Sequence, residues 1–134
     1  MRLYDWEARL SDYICRVAKT PFEYGVHDCA LFAAGGVEAV TGSNPAVKWA
    51  GRYGCALGGL RQMRRVGYAD HIDCAARLFP AISAAARMAG DLAVVTQGDD
   101  RALGIVQGAL IYVLLGDQIG LVPAHRASQI LGVR

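Results

Sequence analysis

The chain has 134 residues, of which 54% are hydrophobic and 19% charged, and its 14 basic and 12 acidic side chains leave a net charge of +2. That size and apolar fraction suit a single globular domain over residues 1–134 and exclude a disordered chain. The near balance of charge excludes a dedicated nucleic-acid binder, and no uninterrupted apolar run is long enough to cross a bilayer.

In chain order, residues 3 to 18 predict an amphipathic helix. Leu3, Trp6, Leu10, Tyr13, Ile14 and Val17 recur at three- and four-residue intervals and share one face. The opening segment "MRLYDWEARL" is charged and lacks the apolar stretch of a secretory signal, so folding in the cytoplasm of the producing cell is expected. "KTPFEYGVHD" reads as a loop, with Pro21 stopping the helix and Gly25 allowing a tight turn. A second helix is expected to start at or beside Cys29, capped by Asp28, and to end at Gly42. Its many small residues (Ala30, Ala33, Ala34, Gly35, Gly36) predict a buried helix in close contact with other backbone.

Residues 55 to 66 predict a third helix whose "RQMRR" is its wet face, and residues 70 to 89 predict one or two short helices interrupted at Pro80. From Gly90 onward the texture changes. "DLAVVT", "ALGIVQG", "ALIYVLL" and "QIGLVPA" predict four short strands of an antiparallel sheet or half-barrel. Helices first and strands second give an α+β fold, with N-terminal helices packed on a small antiparallel sheet.

The four cysteines, Cys15, Cys29, Cys55 and Cys74, form no C-x-x-C pair, which argues against a zinc ribbon. Cys15, Cys55 and Cys74 have apolar sequence neighbours and are expected in the core. Cys29, at a predicted helix start, has the surroundings that favour a reactive thiolate. A nucleophilic cysteine also needs a base within reach. His27 lies two residues before Cys29 and serves equally well as a loop-ordering residue. His125 follows the last predicted strand and reads as a loop residue or as an alternative base, and His71 reads as a helix-terminal or surface residue. His27, Asp28 and Cys29 are too bunched to ligate a metal on their own, so neither a metal nor a cofactor is expected.

"YGVHDCALFAA" resembles the nucleophile motif of the NlpC-type cysteine peptidases, a papain-like superfamily that cleaves peptides of the bacterial cell wall. "AGDLAVV", residues 89 to 95, and "ALGIVQG", residues 102 to 108, resemble the first two core strands of that family. The likeness covers roughly residues 21 to 122 and implies a papain-like fold with Cys29 as nucleophile. The whole chain also resembles short proteins of phage and prophage tail gene clusters. The shared outline includes Trp6 to Leu10, "PFEYGVHDCALFAA", Thr41 to Ala46 and Gly51 to Tyr53.

One position departs from the peptidase pattern. The family's catalytic histidine heads the second strand, where this chain has Ala102, and "ALIYVLL" offers no third polar residue. Loss of the base removes several powers of ten in rate. The resemblance therefore implies a virion protein of the phage tail tip or baseplate, made in the host cytoplasm and assembled with other tail proteins, that keeps a degenerate peptidase fold. The alternative is an active cysteine peptidase or amidase that cuts peptidoglycan peptides during genome entry. In that case Cys29 is the nucleophile, next to Asp28, and His27 or His125 is the base.

Overall fold

A computed structural model describes residues 1–134. Helices α1 (Trp6–Val17), α2 (Cys29–Thr41), α3 (Ala56–Arg65) and α4 (His71–Leu78) precede strands β1 (Ala81–Ile82), β2 (Leu92–Gln97), β3 (Asp100–Val106), β4 (Leu110–Leu115), β5 (Gln118–Pro123) and β6 (Ala127–Leu131). The strands form one sheet in the order β1-β6-β2-β3-β4-β5 with every pair antiparallel. The α+β architecture thus follows the chain as expected.

The main core lies between the helices and one face of the sheet. Phe32, Val37 and Val40 of α2 pack with Leu92, Val94, Leu103 and Ile105, and α1 adds Leu10 and Tyr13. The other face of the sheet buries a second cluster, built from Ala93, Val95, Val106, Ile111, Val113 and Ile130. Burial on both faces explains why β2 and β3 read as nearly continuous apolar runs rather than alternating ones.

Helix α2 is central, and its small residues have a physical cause. A side chain at Gly35 would collide with the ring of Tyr13, whose hydroxyl donates to the Phe32 carbonyl at 2.7 Å. The helix ends where Gly42 adopts φ +85° and donates to the Glu38 carbonyl. No helix is long and apolar enough to cross a membrane.

The sheet departs from the expected four strands. β6 runs between β1 and β2, with Leu131 opposite both Ala81 and Leu92. Two of the core cysteines are also misplaced by the sequence reading. Cys15 and Cys55 are exposed, Cys74 is buried, and all four thiols are free. Cys15 lies on the outer side of α1. Cys55 precedes α3, where its sulfur accepts from the Gly58 N–H at 3.3 Å.

Candidate active site

The loop before α2 is held by its own acidic residue. Asp28 caps the helix: its Oδ1 accepts from the Leu31 N–H at 2.9 Å and its Oδ2 from the Gly25 N–H at 3.0 Å. The Tyr53 hydroxyl donates to the same Oδ2. Gly25 sits at φ +80°, and a Cβ there would run into the Tyr53 carbonyl, so only glycine lets the two loops approach. The Gly51 N–H adds a bond to the Gly25 carbonyl at 2.7 Å. "GVHD" and "GRY" are thereby tied together across 25 residues of sequence.

Cys29 is the first residue of α2. Its sulfur is 3.5 Å from Nε2 of His71, the first residue of α4. The backbone N–H groups of Leu103, Ala30 and Cys29 itself favour the charged form of the thiol. The last two are among the free N–H groups at a helix start, so the dipole argument made from sequence has a structural counterpart. Burial nonetheless dominates and pushes the Cys29 thiol above its ordinary value, while these N–H groups oppose the rise. Burial likewise pulls His71 below its usual range, against Asp70 and Asp28, which raise it. The pair at rest is a neutral thiol beside a neutral imidazole.

His71 is positioned by the N-cap of its own helix. Asp70 accepts from the Asp73 N–H at 2.8 Å through Oδ1 and from Arg101 at 3.2 Å through Oδ2. Arg101 belongs to β3, so this ion pair fastens the start of α4 to the strand beside Cys29.

The dyad opens onto a cleft of about 520 Å³. Asp28, Cys29 and His71 line one part of it, and Tyr24, Tyr53 and Leu60 line another. The β2–β3 hairpin contributes Gln97, Asp99 and Arg101. Ala102, where the resembling peptidases carry their base, also faces this cleft.

The other histidines lie elsewhere. His27 is 5% exposed; its ring packs edge-on to Phe32, and its Nε2 has no hydrogen-bond partner. Its backbone pairs with Glu23 in both directions, which is the loop-ordering role. His125 is exposed in a short 3-10 turn between β5 and β6. Neither lines the cleft. His71, read from sequence as a terminal or surface residue, is the histidine brought to Cys29. Tyr53 is the second site residue that sequence reasoning passed over. Asp70 was the available signal for His71: a capping residue immediately before a histidine at a helix start.

A consequence for stability follows from the two buried imidazoles. Burial lowers the pKa of both His27 and His71 in the folded chain, so below about pH 6.5 the unfolded chain binds more protons. The stability is complete above that pH and is lost as the pH falls toward the folded-state values. Urea midpoints are expected to drop from pH 7 to pH 5. The drop should shrink in His27→Phe; an unchanged drop would remove His27 from this account.

A family model described as a domain of unknown function, DUF6950, matches residues 1–133, and the chain belongs to that family. No curated protein and no solved structure matches the chain.

Proposed function

We propose that the chain is a cysteine-dependent acyl hydrolase of the peptidase or amidase type, with Cys29 as nucleophile and His71 as general base. The observation that carries this reading is the 3.5 Å approach of Cys29 Sγ to His71 Nε2 in an open cleft. His71 takes the thiol proton as the sulfur attacks the acyl carbon, and an S–C bond forms. The proton then passes to the leaving amine or alkoxide as the C–N or C–O bond breaks. Water, deprotonated by the same imidazole, releases the acid and restores the thiol. The N–H groups of Cys29 and Ala30, without intrahelical partners at the start of α2, are available to the negative charge developing on the carbonyl oxygen.

This is papain-like chemistry with its base moved from strand to helix. The resemblance of "YGVHDCALFAA" to the NlpC-type motif supports a peptide bond as the target, in bacterial cell-wall peptide.

The chain carries its own control for the test. p-Nitrophenyl acetate is expected to acylate Cys29 faster than the exposed Cys15 and Cys55, read as mass adducts in samples quenched with acid before the first turnover is complete. Cys29→Ser removes that adduct. Acylation of Cys29 no faster than of the two exposed thiols sinks the reading.

A second reading, a structural subunit of a phage tail with an idle site, draws on the burial that keeps Cys29 protonated and on exposed apolar side chains such as Tyr4 and Val47. It is favoured if Cys29 stays unreactive and the chain binds other tail proteins.

A further inference from the structure

Behind His71 lies a second, smaller space. It has a volume of about 50 Å³ and is walled by α2, α3, α4 and the sheet, with 15 of its 17 lining residues hydrophobic. It shares Ala30, Tyr53, Met63 and His71 with the reactive cleft, so the imidazole that faces Cys29 also borders this pocket. Ala33, Ala75 and Leu103 line its interior, and Leu78, about half exposed, sits at its lip.

Resting on the hydrolase reading, we infer that this pocket seats a short branched aliphatic side chain of the substrate, of three or four carbons, on the acyl side of the bond that Cys29 attacks. Three observations carry the assignment. First, the pocket adjoins the dyad: it shares His71, and Ala30 next to Cys29, with the cleft that Cys29 lines. Second, its apolar lining leaves a charged or hydrogen-bonding substituent without partners, which disfavours such groups strongly. Third, its size is limiting: one water needs roughly 10–15 Å³ by this kind of measure, so the pocket holds about four water-sized groups. A branched group of three or four carbons matches that number of units, whereas a methyl group is one and a phenyl ring is six.

The test has a binding arm and a kinetic arm. In the binding arm, isobutyramide is titrated into the full chain and the methyl NMR signals of Ala33, Ala75, Leu78 and Leu103 are followed, with benzamide as the oversized control. Isobutyramide is expected to shift these signals, in wild type and in Cys29→Ser alike, and benzamide is not. Ala75→Leu, which fills the pocket, should abolish the shifts; Leu78→Trp, which covers the lip from a half-exposed position, serves the same purpose if Ala75→Leu does not fold. In the kinetic arm, p-nitrophenyl acetate, isobutyrate, isovalerate and benzoate are compared, each normalised to its uncatalysed hydrolysis. The branched aliphatic esters are expected to show at least about tenfold higher kcat/KM than the other two.

Absence of methyl shifts overturns the pocket. Methyl shifts with Cys29-dependent turnover that ignores the acyl group overturn its role as a substrate subsite while the hydrolase reading stands. Methyl shifts with no Cys29-dependent turnover of any ester overturn the hydrolase reading and the subsite role with it, leaving only a small apolar binding pocket.

Discussion

Replacing Asp91 by alanine is expected to cost about 3–5 kcal/mol of folding stability, the range found when one partner of a buried ion pair is removed. The carboxylate has no exposed surface and gathers four bonds. Its Oδ1 accepts from Arg2 at 3.0 Å, from Arg134 at 2.7 Å and from the Val133 N–H at 2.9 Å; its Oδ2 accepts from the Met88 N–H at 2.9 Å. The two ends of the chain are therefore joined through one side chain. Arg2 is fixed further by bonds to the carbonyls of Val133 and Ala89, and its guanidinium stacks over Trp6 at 4.3 Å. Without Asp91, a nearly buried guanidinium and two amide groups would lose their partner. A domain of this size has about 5–15 kcal/mol in total, so the loss is a large share of it. Arg134→Ala should cost much less, because that side chain is 42% exposed and water can replace it. Urea denaturation of the two variants checks both the size and the order. An Asp91→Ala variant within 1 kcal/mol of wild type would show that the cluster does not hold the termini.

The same residue illustrates what can be read from a sequence. Gly90-Asp91 is recognisable as a strand opening, but nothing in "AGDLAVV" announces that Asp91 will bind residues 2 and 134. Local features were legible because their causes are local. Asp28 before Cys29 and Gly42 bound α2, and the capping bonds that make them do so span four residues or fewer. Strand β6 was not legible. "ASQIL" has two polar residues in five, and it becomes a strand by pairing with β1 and β2, distant in sequence. The cysteines show the same division: apolar neighbours in sequence do not tell which side of a helix a residue faces, and Cys15 and Cys55 face water. At the site, Ala102 of β3 lines the cleft, and the histidine beside Cys29 comes from a helix instead. Sequence nearness favours His27 as a substitute and position after the last strand favours His125, but neither lines the cleft. His71, 42 residues from Cys29, is brought in by the packing of α4, and packing at that distance leaves no periodic trace.

Replacing His71 by alanine is accordingly expected to lower Cys29-dependent turnover by about 10²–10⁴-fold, the contribution of a positioned general base. With burial raising the thiol's pKa, little thiolate exists at neutral pH, so the rate depends on proton removal by the imidazole. Burial also lowers the pKa of His71, which leaves it in its basic form at pH 7. The acid limb of kcat/KM should therefore fall below about pH 6.5 in wild type. In His71→Ala the residual rate should instead climb with pH toward the ionisation of the thiol itself, which burial pushes above the ordinary thiol range. That change of profile separates a lost base from a disturbed fold, which would lower the rate without moving the limb. If His71→Ala retains the wild-type rate and profile, the imidazole is not the base.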